Sequence, residues 1–214
     1  MVETIKKHDF IELAFVGKIK ETGEIFDTNV EEEIKKIKSN FEAKPYLISV
    51  GHSMTIKGLD NDLEGKEVGK EYTSEFKPED AFGKRNPSLI RMIPIKLFLE
   101  QQIMPQKGMQ LSLDGSLVKI VSVSGGRVLV DSNNPLAGKV VSYKYRIVRK
   151  ITDEKEKVNA LQDFFFRKKF DFDLKEKDLT FKVEKNLQKF VEVMANPFKE
   201  ILGLNVKCEI VEKK

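Results

Sequence analysis

Residues and segments that mark several protein classes are scarce in this chain. The single cysteine, Cys208, excludes an internal disulfide framework and a thiolate metal cluster. No apolar run approaches the roughly 20 residues of a membrane-spanning helix, and residues 1–7 lack the apolar core of a signal peptide. The two histidines belong to no metal-ligand spacing or hydrolase motif. We therefore expect a cytoplasmic protein with no cofactor, no metal and no membrane partner.

The chain also lacks the charge pattern of a nucleic-acid-binding protein. Its 38 basic and 34 acidic residues give a net charge of +4, but the two signs are interspersed and no basic stripe with aromatic residues occurs. This predicts no specific nucleic-acid partner. Hydrophobic residues make up 40% of the 214, which argues against disorder and allows two or three folded units. Tryptophan is absent, so the 15 phenylalanines are the main large core residues.

The first part of the chain predicts a β-rich unit with a short helix. Alternating apolar residues predict strands over 9–20, 25–28, 45–51, 72–76 and 140–151. Leu59 and Leu63 predict the short helix, which ends at Gly65. A polar stretch over 30–44 predicts a helical insertion whose apolar face includes Phe41.

Two further segments have different patterns. Residues 87–139 predict a small inserted β-domain, with a turn at Asp114-Gly115 and a tight hairpin at Gly125-Gly126. From Thr152 onward we predict a C-terminal α+β domain: a helix that starts within Thr152-Asp153-Glu154 and runs to Lys168, short strands, and a helix from Leu187 to a break at Asn196-Pro197. The predicted domains are therefore 1–86 with 140–152, then 87–139, and 153–214.

Three ordered segments resemble the signature of FKBP-type peptidyl-prolyl cis/trans isomerases. In residues 23–28 a glycine turn precedes Phe26 and Asp27, and residues 56–69 resemble the family's central segment from the pocket-floor helix to its closing turn. Residues 78–83 resemble its Pro-x-x-Ala-Tyr-Gly element. Residues 131–139 resemble the Asn-His-Pro-Leu-Ala-Gly element of SlyD-like members, with Asn134 in place of the histidine. The whole resembles the long archaeal type with an inserted-in-flap domain. This resemblance implies an α+β fold, with an antiparallel sheet wrapped on a short helix, and an isomerase that also binds unfolded chains as a chaperone.

The resemblance implies a proline pocket of eight residues. They are Asp27, Phe26, Tyr46 and Phe82 in catalytic positions, and Phe15, Ile56, Leu59 and Tyr143 in substrate-binding positions. Leu59 replaces the pocket-floor tryptophan of simple members, Phe82 replaces a tyrosine that bonds the substrate carbonyl, and Tyr143 replaces a phenylalanine. We expect these differences to tune affinity rather than abolish activity.

Such residues suit rotation about an X–Pro bond. Amide resonance imposes a barrier of about 18–20 kcal/mol, and uncatalysed isomerisation takes tens to hundreds of seconds. The twisted transition state has lost that resonance and is less polarised, so an apolar aromatic pocket favours it over the planar form. Only differential binding is needed, and no nucleophile.

Each feature also has a simpler interpretation. The apolar pocket residues are of types that ordinary cores contain, Asp27 is of a type that caps turns, and the inserted domain fits a rigid lid as well as a chaperone surface. A holdase with little catalytic power is the competing function.

The C-terminal domain is small and has no disulfide or metal to stabilise it. It is nevertheless rich in large apolar residues, namely Phe164, Phe165, Phe170, Phe172, Phe181, Phe190 and Phe198. Its short strands leave sheet edges that a second copy can cover. We predict a homodimer through this domain, and the alternative is packing against the isomerase domain of the same chain.

Overall fold

The computed structural model describes residues 3–37, 43–113 and 115–211. Phe41 and Asp114, which the sequence analysis placed in a helix and a turn, lie outside the described residues. The predicted helix over 30–44 is present as Glu31–Ile37, while Ala43 and Lys44 are not helical.

The described elements are these, in chain order. The strands are β1 (Phe10–Ile19), β2 (Ile25–Thr28), β3 (Tyr46–Ser49), β4 (Glu71–Phe76), β5 (Ile90–Pro94), β6 (Gln110–Leu113), β7 (Ser116–Ser124), β8 (Arg127–Asp131), β9 (Val141–Ile151), β10 (Phe172–Lys175), β11 (Asp178–Val183) and β12 (Asn205–Ile210). The helices are α1 (Glu31–Ile37), α2 (Lys57–Asp62), α3 (Ile95–Glu100), α4 (Glu154–Leu161), α5 (Gln188–Val193) and α6 (Asn196–Leu202).

The chain divides into two compact units. The major unit contains the described residues up to Phe76 and those from Val141 onward, and the inserted unit is Lys77–Val140. The division into three domains, with 153–214 as a domain of its own, stays a prediction. Within the described residues, no helix is long and apolar enough to cross a bilayer.

The major unit is built on an antiparallel five-stranded sheet. Its order is β2-β1-β9-β4, and β3 pairs with the same edge of β1 as β2 does. The central strands β1 and β9 pair over their whole lengths, and their apolar residues, such as Leu13 and Ile147, are fully buried. Helix α2 packs against β4 with Leu59 and Leu63 buried. This confirms the predicted fold class.

Helix α2 is tied to the sheet by a partly buried polar contact. Its last residue, Asp62, accepts hydrogen bonds from the hydroxyls of Ser74 on β4 (2.5 Å) and Tyr145 on β9 (2.6 Å). A carboxylate with two hydroxyl donors holds its position well, because charge-assisted hydrogen bonds are short and strong. These hydrogen bonds fix the position of α2, and so of Leu59, relative to β4 and β9.

The inserted unit is a four-stranded antiparallel sheet of order β5-β8-β7-β6, with α3 beside it. Gly125 and Gly126 both have positive φ (57° and 71°) and connect β7 to β8, so the predicted tight hairpin is confirmed. The core of this unit consists of Phe98, Val118, Ile120, Val128 and Val130.

The C-terminal segment 153–211 differs in two places from its predicted elements. Helix α4 starts within the predicted stretch 152–154, and Asp153 caps it, its side chain accepting a hydrogen bond from the Glu156 amide (2.7 Å). The α-helix ends at Leu161 and not at Lys168, because the turn Gln162–Phe166 is π-helical and Arg167 has positive φ (53°). The predicted break at Asn196-Pro197 is the start of another helix: Pro197 lies in the first turn of α6, a position that proline fits.

Packing in this segment centres on phenylalanine rings. The ring of Phe166 lies 5.2 Å from that of Phe198 and 5.5 Å from that of Phe181, centroid to centroid, and all three are buried. Strands β10 and β11 are antiparallel and β11 and β12 are parallel. Helix α4 packs against β3, so the segment is in contact with the five-stranded sheet.

Candidate active site

A β-bulge positions Phe26. Gly17 of β1 pairs with Asp27 and the next residue, Lys18, pairs with Ile25, so Phe26 is an extra residue on β2. Bulges re-aim side chains and are frequent next to active sites. The Phe26 ring lies over Gly17: a Cβ atom built on that glycine would be only 2.8 Å from Phe26 Cζ. Glycine at position 17 therefore makes room for the ring.

Four aromatic rings from four strands meet on this side of the sheet. Ring centroids are 5.7 Å apart for Phe26 and Tyr143, 5.9 Å for Phe15 and Tyr143, and 5.4 Å for Phe15 and Tyr46. The Phe26–Tyr143 and Phe15–Tyr46 pairs are edge-to-face, a favoured arrangement for aromatic rings. We call these rings, together with Asp27, the aromatic groove.

One hydrogen bond fixes the outer wall of the groove. The Tyr46 hydroxyl donates to the Met54 carbonyl at 2.6 Å. The loop that carries Met54 is held in turn by the Asp60 carboxylate, which accepts from the amides of Gly51 (2.8 Å) and Ser53 (2.9 Å). Ile56, at the start of α2, follows directly on this loop.

A cavity of about 210 Å³ opens beside the rings. It is lined by Phe15, Asp27, Thr28, Asn29, Lys44, Pro45 and Tyr46. Pockets for whole small molecules are typically about 300–1,000 Å³, so this cleft suits one or two residues of a peptide. Another cavity, of about 200 Å³, has a mixed charged and aliphatic lining that includes His8, Glu154 and Leu202, and it lies outside the ring cluster.

Asn29 lines the cavity and is held in place by two hydrogen bonds to β1. Its side-chain oxygen accepts from the Phe15 amide, and its side-chain nitrogen donates to the Leu13 carbonyl, both at 2.8 Å. Thr28 adds a hydrogen bond from its hydroxyl to the Phe15 carbonyl (2.8 Å). These contacts tie the end of β2 to β1 and so fix the spacing between Asp27 and Phe15.

The ionisable groups of the groove have shifted pKa values. Asp27 is exposed as a residue, yet partial burial of its carboxyl group raises its pKa, and a hydrogen bond from the Thr28 backbone opposes this effect. Burial, with a smaller contribution from the negative charge of Asp27, raises the pKa of Tyr46 to about 12 and also raises that of Tyr143. Both tyrosine hydroxyls therefore stay protonated, as hydrogen-bond donors, at neutral pH.

The structure brings together most of the residues that the sequence analysis singled out. Phe15, Phe26, Asp27, Tyr46 and Tyr143 form the groove. Leu59 is fully buried in α2, and the half-buried Ile56 precedes that helix. Phe82 belongs to the inserted unit, where it is half-buried just after a 3₁₀ turn (Pro78–Asp80).

Sequence reasoning missed Gly17 and Asn29. An asparagine directly after a Phe-Asp-Thr strand is a recognisable turn signal, whereas nothing local marks Gly17 as the glycine under a ring.

Comparison with known proteins agrees with this geometry. A family model described as FKBP-type peptidyl-prolyl cis-trans isomerase matches residues 2–96, and one described as the FKBP26 IF domain matches residues 91–136. A short-type peptidyl-prolyl cis-trans isomerase of Methanocaldococcus jannaschii is 32% identical over 150 residues, which cover 69% of this chain and 94% of that protein.

A further relative matches about half of the chain. SlyD of Vibrio cholerae is 35% identical over 102 residues, covering 46% of this chain and 50% of that protein, so the chain spans about half of this relative's length. Among solved structures, wheat FKBP73 with its three FKBP domains aligns at 14% identity and a TM-score of 0.39, over 72% of this chain and 43% of that one. On the strength of the M. jannaschii relative, the chain belongs to the family of FKBP-type peptidyl-prolyl cis-trans isomerases.

Proposed function

We propose that the aromatic groove is where this isomerase binds and twists X–Pro bonds, and that the inserted unit holds unfolded chains for it. The observation that carries the first part is the convergence of four rings around a cleft of one- or two-residue size, with Asp27 at its edge. The rings exclude water from the planar imide, which loses polarity as it twists, and so they bind the twisted form better. The hydroxyl of Tyr143 stays protonated throughout the physiological pH range, whereas the proton of the Tyr46 hydroxyl is donated to the Met54 carbonyl.

The test of the groove is a protease-coupled assay on a short X–Pro peptide. We expect Tyr46→Ala and Asp27→Ala each to lower kcat/KM at least tenfold, or about 1.4 kcal/mol of transition-state stabilisation, while circular dichroism shows a folded chain. Tyr72→Ala is the matched control, since Tyr72 is a half-buried tyrosine of β4 that stacks on Tyr145 outside the groove. Wild-type activity in both groove variants would refute this location and favour a holdase with little catalytic power.

The proposed chaperone role is supported by exposed apolar side chains on the inserted unit. Met104 is 70% exposed, Met92 61% and Leu117 60%, and Leu97 and Leu99 of α3 are about half exposed. Flexible methionine and leucine side chains adapt to varied apolar segments. The inserted unit is covalently joined to the unit that contains the groove. A client chain that it holds therefore presents its proline to the groove at a raised effective concentration.

Two kinds of variant separate a chaperone surface from a rigid lid. Replacement of residues 87–139 by a short loop should spare isomerisation of a tetrapeptide and slow catalysed refolding of a whole protein. The double variant Leu97→Ser, Met104→Ser should do the same with the unit in place. Gln101→Ser, Gln110→Ser, at exposed polar positions of the same unit, is the control. Equal losses on both substrates would mean that the unit is only structural.

A homodimer through the C-terminal segment also stays a proposal, and so do a cytoplasmic location and the long archaeal subtype. Two observations bear on the dimer in opposite directions. Val193 is 79% exposed and Phe190 42%, which favours a covering partner, but α4 already packs against β3 of the same chain. Light scattering of the full chain at micromolar concentration decides whether it is a dimer. A dimeric mass that falls to half in the Val193→Glu variant supports the dimer, and a monomeric mass of the unaltered chain rules it out.

A further inference from the structure

The two histidines of the chain are in direct contact. The Nδ1 atom of His8 is 2.8 Å from the Nε2 atom of His52, and the centroids of the two rings are 4.8 Å apart. One imidazole therefore donates its N–H to the unprotonated nitrogen of the other. The contact joins the segment before β1 to residues 50–56, which connect β3 to α2 and which we call the β3–α2 loop.

Backbone contacts hold His8 in place for this contact. Its amide donates to the Val50 carbonyl, and the Val50 amide donates to the Asp9 carbonyl, both at 2.9 Å. His8 also has a positive φ (72°), which non-glycine residues rarely adopt. The backbone of His8 is thus fixed against the first residue of the β3–α2 loop, and its ring meets His52 two residues further on.

The β3–α2 loop connects the histidine contact to the aromatic groove. Two residues after His52, the Met54 carbonyl accepts the hydrogen bond from the Tyr46 hydroxyl (2.6 Å). The loop is also held by the Asp60 carboxylate, which accepts from the amides on both sides of His52. A continuous run of contacts therefore leads from His8 through His52 and Met54 to the outer wall of the groove.

Protonation breaks the histidine contact only at its second step. With one proton added to the pair, an N–H still faces an unprotonated nitrogen, so the hydrogen bond is kept. When both imidazoles are protonated, each presents an N–H to the other, and the two positive charges repel. The rings must then separate, and the β3–α2 loop loses its contact with His8.

The charged groups around the pair are of both signs. They are Lys7, Asp60 and Glu200 around His52, and, around His8, Glu154 and Lys157 in the same cavity and the ion pair of the adjacent Asp9 with Lys150. Burial has the largest effect and lowers the pKa of His52 below its ordinary value of 6.5. The charges of His8 and Lys7 lower that pKa further, and the two carboxylates oppose them. The second proton should therefore bind below pH 6.5.

We infer that His8 and His52 are positioning residues of the isomerase: their contact holds the β3–α2 loop, and through Met54 the Tyr46 wall of the groove, until both imidazoles are protonated. Isomerisation should therefore be slower in mildly acidic solution than at neutral pH. The inference rests on the proposed groove, because the position of Tyr46 affects activity only if the client proline binds beside it.

The test is the pH profile of kcat/KM on a blocked Ala–Pro peptide without ionisable groups, measured by NMR exchange. The profile runs from about pH 8 to about pH 5, the range in which histidine changes charge. A displacement of 1 Å in a catalytic site costs about 10²-fold, so a loop shift of about 0.25 Å should lower kcat/KM roughly threefold at the acidic end. Because the chain has only two histidines, NMR of their rings shows where the second proton binds, and kcat/KM should fall over the same range. Circular dichroism at the acidic end checks that the chain is folded.

Three variants separate the contact from other effects of pH. His52→Ala removes the contact at every pH, so its kcat/KM should be roughly threefold low at neutral pH and should fall little on acidification. His52→Gln is the matched control: its amide places a polar atom near the position of Nε2 and does not titrate, so neutral-pH activity is kept and the acid fall is lost. His8→Asn should behave like His52→Gln, since asparagine mimics Nδ1 and tolerates positive φ. Asp27 is unchanged in all three, so any fall that its own titration causes is common to them.

The outcomes separate this inference from the groove assignment. A flat profile in the unaltered chain, an acid fall that persists in full in His52→Gln, or normal neutral-pH activity in His52→Ala overturns the inference and leaves the groove intact. Neutral-pH activity that survives Tyr46→Ala overturns the groove, and the inference with it.

Discussion

The sharpest prediction concerns Gly17, a residue that never touches the client. A methyl group at this position would lie 2.8 Å from Cζ and 3.0 Å from Cε2 of Phe26, and 3.3 Å from Cε1 of Tyr143. Ordinary contact begins at 3.4 Å, so Gly17→Ala must push the Phe26 ring by about 0.6 Å. The ring is the outer end of a side chain on a bulge, so it can shift without dislodging the strands.

This geometry predicts a large effect on activity and a small one on stability. Overpacking costs about 1–3 kcal/mol in a closed core, and we expect the lower end here, about 1 kcal/mol by urea unfolding. A displacement of 1 Å in a catalytic site costs about 10²-fold, so a shift of 0.6 Å should lower kcat/KM on a short X–Pro peptide roughly tenfold.

A double-mutant cycle shows whether the effect passes through Phe26. With Phe26→Ala already present, Gly17→Ala has no ring to displace and should lower kcat/KM no further, so the two changes are strongly non-additive. Additive losses would refute the reasoning, as would a Gly17→Ala enzyme that is fully active or one that is unfolded.

Three other variants test separate contacts. Tyr46→Phe removes the donor to the Met54 carbonyl and should cost about 1–3 kcal/mol of stability, with less loss of activity than Tyr46→Ala. Asp27 has a raised folded-state pKa, so its ionisation disfavours folding as pH rises above about 3.8; Asp27→Asn should therefore raise the thermal midpoint at pH 7, and the gain should vanish below pH 3.8. Phe198→Ala should cost about 3–5 kcal/mol, and this loss should appear as a separate, earlier unfolding transition if 153–214 is an independent domain.

Local signals were enough for most of the fold. Alternating residues and turn glycines are set by neighbours in sequence, and they predicted β1, β2, β3, β4 and β9 and the Gly125-Gly126 hairpin. The polar residues 152–154 likewise predicted the start of α4. The π turn was missed because helical spacing assumes 3.6 residues per turn. With a wider turn after Leu161, Phe166 is buried, and the predicted apolar positions Phe164 and Phe165 are only half-buried.

The candidate site was predictable only as a set of residues. The motifs named Phe26 and Asp27 because a family signature is written in short segments, and Tyr46 was added from the resemblance to the family. The place of Gly17 beneath Phe26 depends on a bulge, and the ring contact of Phe26 with Tyr143 joins residues more than a hundred positions apart. Such contacts follow from tertiary packing, which periodicity does not encode.

The order of strands in the five-stranded sheet has a consequence for synthesis on the ribosome. Strand β9 lies between β1 and β4 but is translated after the whole inserted unit, so the sheet cannot close until residue 151 has emerged. The inserted sheet, whose strands follow one another closely in sequence, can fold first. Its folding shortens the effective loop between the paired residues Phe76 and Val141, and each halving of a loop lowers its closure cost by about 0.6 kcal/mol. The inserted unit, which we propose holds unfolded clients, therefore also lowers the entropic cost of closing the five-stranded sheet of its own chain.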